Sequence, residues 1–507
     1  MSNLARTAFF MALLMLISKF IGFVREMVMA GFYGTSYVTD AYVMAVAIPM
    51  ILFGGIFGAV AIAYMPVYSK VVVEQGEETG NLFTSEIINL LIILSIISSI
   101  LGIVFSDQIT SIFASGFIGE TAELCSFYVK ITFSYVLFSS ITGILEAYLQ
   151  YKGLFLPQVI AGYLLSGTTI VIIIISAFTS HYFLVLGLLI GYIGRFIIIA
   201  LITKRIGFRY TPSFNTANAI NKILKLAVPV FIGSGMLQIS AFVDKTLASG
   251  LNEGSVSALN YGLLLVNVIT NLTIGILTTI IYPRLAQSNA EKDHSRFGGI
   301  ISTGVTLIIM LAMPCTLGAM LYSNQIIQVV FERGAFDTTA TTMTASAFFY
   351  YAIGLLFISM NDIITRAYYS MQDMKTPILC SGVGVIIDII LNLILVRFMA
   401  HNGLALATSI ASACSTGLLY ASFKKRNKEI IIIESKHKIV KIILASIIAV
   451  GMSGIAYYWV ILPLKGYIYV RLIQLGLAVS IAVISYYIIL RIMKIEEIKL
   501  IWQIIKR

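Results

Sequence analysis

The sequence predicts an all-α polytopic membrane protein with about fourteen transmembrane helices, each needing roughly 20 apolar residues to cross about 30 Å of hydrocarbon. Three observations carry this prediction. Of 507 residues, 59% are hydrophobic and 11% charged, with a mean hydropathy of +0.96; soluble domains run to roughly 45–50% apolar and 25% charged. The apolar residues form unbroken runs between short polar breaks. Lipid offers no water to backbone groups, so such runs must be helices or a closed barrel, and continuous rather than alternating apolarity excludes the barrel.

In order, the spans fall near 8–32, 41–65, 83–105, 125–150, 155–178, 183–203, 222–248, 256–282, 298–322, 341–369, 377–398, 401–423, 439–461 and 468–490. The first follows Arg6 as a signal peptide would, but Lys19 and Arg25 stand where a small-residue cleavage site belongs, so it reads as an uncleaved helix. The second opens at Asp40. In the sixth, "GLLIG" at Gly187 to Gly191 is a small-xxx-small contact for a neighbouring helix, not a nucleotide loop. After the twelfth comes the longest basic connection, "FKKRNKEIIIIESKHKIVK". The C-terminal "KIEEIKLIWQIIKR" places Ile495, Ile498, Trp502 and Ile505 at helical spacing, which suits either an interfacial helix or a solvated cap on the last span.

Basic residues sort by loop parity. Arg6, Lys70, Lys152, Lys204, Arg205, Arg284 and the Lys424–Lys438 run fall on one side, and the other side receives little beyond Arg333, Lys465 and at most Lys245. The positive-inside rule then puts both termini in the cytoplasm. The net charge of +11 is thereby accounted for by loops facing anionic headgroups, with no nucleic acid needed. Cys125, Cys315, Cys380 and Cys414 show neither metal-type spacing nor a disulfide framework.

The chain repeats itself. "IFASGF...AYLQYKGLFLP" aligns with "VFERGAF...AYYSMQDMKTP" at an offset of about 220: Ser115-Gly116-Phe117 faces the Arg333–Gly334 step, Ala147-Tyr148 faces Ala367-Tyr368, and Pro157 faces Pro377. "FIG" at Phe20 recurs at Phe231, and Pro66 matches Pro283. An even number of spans separates the copies, so the repeat is parallel, related by a pseudo-twofold along the membrane normal. This predicts an N-lobe over 1–210 with spans one to six and a C-lobe over 211–428 with spans seven to twelve. Residues 429–507 hold spans thirteen and fourteen and the C-terminal segment. Two such lobes imply rocking transport past a path near the midplane.

An ionisable side chain inside a span costs at least about 2.5–3.5 kcal/mol on insertion scales, so each needs a partner, a cavity or a task. Lys19 and Arg25 lie about 9 Å apart along the first span. They suit a pyrophosphate, Arg25 by bidentate contact and Lys19 as a point charge; equally, Arg25 pairs with Glu26 while Lys19 snorkels. Asp40 fits the positive end of its own helix dipole. Asp362 and Arg366 form an i,i+4 pair. Asp388 and Asn392 share one face of span eleven with no basic residue on that helix, and so supply oxygen ligands for a hard cation such as Na⁺, or a carboxyl that carries a proton. Asp244 and Thr408 are candidates to complete that cluster, although Asp244 also has Lys245 beside it. An enzyme is not indicated: His181, His294, His401 and His437 lie in separate loops, and no nucleophile or phosphate-cradling motif occurs.

"SKFIGFVREMVMAGFYG...TDAY", "FERGAFD" and "RAYYSMQDMKTP" together resemble the MurJ/MviN group of the multidrug/oligosaccharidyl-lipid/polysaccharide exporter superfamily, over roughly residues 10 to 430. The resemblance implies a flippase that carries an undecaprenyl-pyrophosphate-linked saccharide, lipid II in the main branch, from the inner to the outer leaflet of the bacterial cytoplasmic membrane by alternating access. It implies that spans thirteen and fourteen make a groove for the lipid tail. It matches Arg25 and Asp40 to functionally important positions, sets Lys19 where Arg is usual, and places a Na⁺ site on Asp244, Asp388, Asn392 and Thr408. Two departures stand out. Phe53, Gly54, Gly55 and Gly58 replace the usual Arg pair of span two, and Leu263 and Leu264 stand where span eight usually carries Arg. These widen the expected cargo to another lipid-linked polysaccharide unit, and keep a cation-coupled drug exporter as an alternative. The expected partners are the lipid-linked saccharide, membrane lipids and cell-wall synthesis enzymes; a scaffold for those enzymes is a third reading. "FERGAFD" itself reads as a turn into the next helix, with Glu332, Arg333 and Asp337 as a local charge cluster.

Overall fold

The computed structural model describes residues 3–212, 217–291, 293–427, 436–461, 468–495 and 497–498. All its regular elements are helices, and no strand occurs among the described residues. Eleven described segments are long and apolar enough to cross a membrane. One of them, Tyr37–Val104, runs 68 residues, well beyond the need of a single crossing. The expected amphipathic C-terminal helix falls largely on residues outside those described.

The chain forms two compact units, Met1–Ser257 with Arg333–Asp337, and Ala258–Glu332 with Thr338–Arg507. The first holds α1 (Asn3–Tyr33), α2 (Tyr37–Pro49), α3 (Gly55–Val104), α4 (Ser106–Phe113), α5 (Glu120–Tyr151), α6 (Leu156–Phe178), α7 (Leu186–Arg205) and α8 (Ala217–Ser249). Pro49 ends α2 in a π-helical turn over Met50–Gly54; a proline lacks the N–H and crowds the carbonyl four residues back, and the wider turn relieves both. Gly76, at φ 86°, breaks α3 into two rods, a backbone state that glycine adopts without strain. The core gathers Tyr64, Tyr68, Phe83, Tyr148 and Phe208.

The second unit contains α9 (Ser255–Ala290) beyond its first turn, α10 (His294–Leu321), α11 (Ser323–Phe331), α12 (Thr338–Ser370), α13 (Lys375–Met399), α14 (His401–Arg426), α15 (Lys436–Ala456) and α16 (Ile468–Ile492). Its core runs from Ile301, Val305 and Leu355 to Tyr368 and Phe423 and takes in Ile442 and Ala445 of α15. Tyr486 of α16 donates to the Met310 carbonyl at 2.8 Å.

The repeat is visible in element order and packing. Short helices α4 and α11 each precede a long one. The aligned tyrosines Tyr148 and Tyr368 are both buried, and each meets a late phenylalanine edge-on at 5.3 Å, Phe208 and Phe423 respectively. The two units divide the chain by contact and the lobes of the repeat by ancestry, so the boundaries differ: α8 opens the second repeat but packs against α3.

Between helices, packing follows the rules of lipid rather than of water. Hydrophobic contrast is weak there, so close backbone approach and small polar side chains hold helices together. "GLLIG" does this: a Cβ on Gly187 would lie 3.0–3.3 Å from Ile172 and Thr169, and one on Gly191 2.6–3.2 Å from Leu165 and Thr168 of α6. Ser95 meets Ser140 at 2.8 Å, Tyr33 meets Ser176 at 2.7 Å, and Ser409 donates to the Tyr350 carbonyl at 2.6 Å.

The "QDMKTP" stretch is a helix cap. Asp373 accepts from the Thr376 amide at 3.0 Å, the Thr376 hydroxyl at 2.7 Å and Arg426 Nη1 at 2.8 Å, tying the start of α13 to the end of α14. Burial works to raise the Asp373 carboxyl, but the Thr376 hydroxyl and amide and Arg426 together hold it below its ordinary value. A carboxyl depressed by folding stabilises fully above its unfolded pKa of about 3.9 and loses that contribution as pH falls through the folded value. Asp373→Asn should therefore lower the melting temperature of the detergent-solubilised protein at pH 7, with the gap from wild type closing in acid below about pH 4. Gly102 offers a packing test, because a Cβ there would sit 1.9 Å from the Phe133 ring, whereas one on Gly58 would meet nothing within 4 Å. Gly102→Leu should destabilise by about 1–3 kcal/mol or more through overpacking; Gly58→Ala, measured alongside, should not.

Candidate functional site: the intramembrane charges

On α1, Arg25 binds its neighbour Glu26, with Nε at 3.1 Å and Nη2 at 2.7 Å from the same oxygen. The pairing alternative of the sequence reading is thus realised, while 28% of the arginine side chain stays exposed. Lys19 is exposed on the same helix.

Asp40 does something the sequence did not reveal. It is 3% exposed, and its two oxygens accept the backbone amides of Gly254 at 2.7 Å and Ser257 at 2.8 Å, the start of α9. The carboxylate near the first turn of α2 thus satisfies orphan donors at another helix's N-terminus. Glu253 reciprocates, accepting the Tyr37 amide at the start of α2 at 2.8 Å. In this arrangement Asp40 is a structural cap with its oxygens engaged, and not a group turned toward a ligand.

"FERGAFD" is a close backbone crossing. Ala335 donates to the Gly31 carbonyl at 2.8 Å, and Gly34 and Gly334 take φ of 59° and 58°. A Cβ on Gly34 would lie 2.4 Å from the Ala335 oxygen and one on Gly334 2.2 Å from the Gly31 oxygen. The turn reading holds, and Glu332 takes Arg471 Nη1 at 2.8 Å and the Thr341 hydroxyl at 3.0 Å.

In the second unit Asp388 and Asn392 lie one turn apart on α13, 3% and 0% exposed. Thr408 is on α14, which packs against α13, and its hydroxyl donates to the Leu404 carbonyl at 3.1 Å. Asp244 belongs to the first unit. Among the described residues no three His, Cys, Asp or Glu gather as a metal site. Carboxylate, amide and hydroxyl oxygens such as those of Asp388, Asn392 and Thr408 suit a hard cation and not a transition metal. Asp362 and Arg366 make the expected pair at 2.8 Å.

One pair escaped the sequence reading. Arg195 of α7 reaches Glu146 of α5, with Nε at 2.9 Å and Nη2 at 2.7 Å from one oxygen. Listing every ionisable residue inside spans four and six would have found both.

Comparison with known proteins places this geometry. The family described as "Lipid II flippase MurJ" matches residues 29–478. A Rickettsia prowazekii protein named probable lipid II flippase MurJ is 27% identical over 96% of this chain and 97% of its own. A Thermotoga maritima protein of the same name is 27% identical over 98% of each, and the Burkholderia cenocepacia lipid II flippase MurJ is 26% identical over 84% of each. Among solved structures, a lipid II flippase MurJ in an inward closed conformation superposes with a TM-score of 0.83 at 24% identity, over 96% of this chain and all of that one. An inward-facing multidrug resistance MATE transporter gives 0.69 at 15% identity, over 82% and 95%; at such identities these two likenesses speak for the fold alone. With the family match covering most of its length, this chain belongs to the lipid II flippase MurJ family.

Proposed function

We propose that this protein is a flippase that carries an undecaprenyl-pyrophosphate-linked saccharide, lipid II first among the candidates, from the inner to the outer leaflet of a bacterial cytoplasmic membrane. The observation that carries the reading is the family match over residues 29–478, supported by relatives named lipid II flippases that span nearly the whole chain. Arg25, inside α1 with 28% of its side chain exposed, supplies the bidentate donor a pyrophosphate needs. Lys19 adds a second positive charge along the same helix, and Asp40 supports the site by holding the start of α9. In this reading both termini are cytoplasmic, and the chain works beside membrane lipids and cell-wall synthesis enzymes.

Transport proceeds by alternating access. Coupling requires an ion that binds one conformation better than the other, since equal affinity for both shifts nothing. Na⁺ on the oxygens of Asp388, Asn392 and Thr408 is the proposed ligand. A bound cation there supplies positive charge that neutralises the buried Asp388 carboxylate.

The gene for this chain should restore growth to a bacterium depleted of its own lipid II flippase. Arg25→Ala should abolish that rescue at unchanged membrane level; full growth would remove Arg25 from the mechanism. Asp388→Ala should eliminate the Na⁺ dependence of glycolipid flipping in vesicles, and an unaltered Na⁺ response would sink the proposed ion site.

A further inference from the structure

We propose that Arg195, poised by Glu146, is a second arginine contact for the diphosphate of the substrate, acting with Arg25 from within the same compact unit. This rests on the flippase reading and names a residue that reading does not require.

The first support is position. Arg195 sits at the centre of the 20-residue helix α7, so the helix extends about 15 Å to either side of it. Arg25 lies eight residues, about 12 Å, from the C-terminal end of α1. Both guanidinium groups are therefore deep inside a layer about 30 Å thick. Neither is sealed: the side chains of Arg25 and Arg195 stay 28% and 26% exposed. A charge at that depth is costly against acyl chains, which favours a polar or water-filled interior of the kind that marks a substrate path.

The second support is direction. Gly187, Gly191 and Gly194 form the face of α7 that packs on α6, where a Cβ on Gly194 would lie 2.7 Å from Leu164. Tyr192 and Arg195 each follow one of these glycines and therefore stand about 100° around the helix, toward α5. Tyr192 and Arg195 are three residues apart, neighbours on one face. Tyr192 stacks on Tyr135 of α5 with ring centroids 4.4 Å apart, one turn from the Arg195–Glu146 pair. α1 and α7 both pack on α6, so the two arginines belong to one group of packed helices.

The third support is how each arginine is held. Both bind a single carboxylate oxygen through Nε and Nη2. Among the described residues, neither Nη1 enters a hydrogen bond. Each guanidinium keeps an edge of N–H donors for a phosphoryl oxygen, and two arginines match two phosphoryl groups. The carboxylate partners lower the cost of keeping a cation in the membrane while the site is empty, and they also weaken its hold on an anion. A carrier needs both effects, because a site that captures cargo must also release it.

The test compares two lipids that share a tail, undecaprenyl diphosphate and undecaprenyl monophosphate, binding to the full-length protein in nanodiscs. Wild type should prefer the diphosphate. Glu146→Gln/Arg195→Gln, which removes both charges and leaves neither one buried alone, should lose about tenfold or more of that preference, the scale of a charge-assisted hydrogen bond, with monophosphate binding kept. Glu146→Gln alone frees the cation and should tighten diphosphate binding while slowing flipping, a response no purely structural ion pair would give. If the double variant does not fold, Glu146→Gln and Arg195→Lys carry the test, the lysine retaining part of the preference. Wild-type preference in the variants overturns the role of Arg195 alone. A wild type that does not distinguish the two lipids overturns the flippase reading and this inference with it.

Discussion

A polar group inside a hydrocarbon layer has only the protein to bond with, and the rest of this structure depends on that constraint. It explains why the chain is all helix. It explains why serine and threonine hydroxyls turn back to carbonyls of their own helix, as Thr84 does to Gly80 and Ser446 to Ile442. It also explains why Arg25 and Arg195 each come with a carboxylate at 2.7 Å. Helix ends feel it most, since four amides at each start have no partner within the helix. Asp40 and Glu253 answer this by crossing over, each taking amides at or near the start of the other's helix.

What the sequence could disclose divides along the same line. Features set by neighbours in the chain were legible: apolar runs became helices, "GLLIG" became a packed face, and Asp362 and Arg366 found each other four residues apart. Tertiary pairings were not. From sequence Asp40 has only its own helix dipole as a visible partner, because Gly254 and Ser257 lie more than two hundred residues on and no local pattern points to them. Glu146 and Arg195 are separated by 49 residues and have no periodicity to announce them. The π-helical turn after Pro49 and the grouping of α8 with α3 likewise depend on packing. Arg25 stands out in the sequence as a cation inside a span, and the structure adds that it pairs with Glu26.

The glycine turns show how ancestry and structure bear on each other. Gly116 and Gly334 occupy the same position in the two repeats, after α4 and α11. Each makes a backbone approach that no side chain would permit: a Cβ on Gly116 would lie 2.1 Å from the Cα of Gly250, and one on Gly334 2.2 Å from the Gly31 oxygen. Gly250 follows α8, the first helix of the second repeat; Gly31 is near the end of α1, the first helix of the first. Each repeat therefore lays its glycine turn on the opening helix of the other. Around Gly116, Thr246 donates to the Phe113 carbonyl at 2.8 Å and Ser249 accepts the Gly116 amide at 3.1 Å.

This crossing gives a physical reason why both turns carry a glycine while the residues around them differ. Steric exclusion acts on the Cβ whatever the side chain is, so it requires glycine at both positions and does not by itself fix their neighbours. Ser115 and Arg333 differ in charge although each precedes the glycine of its turn. Glu332 instead serves its own repeat and the appended α16, through Thr341 and Arg471. At this crossing the charges of "FERGAFD" are secondary to its glycine. In the proposed reading the functional charges are those placed inside the membrane-spanning helices, Arg25, Arg195 and Asp388, and not those merely dense along the chain.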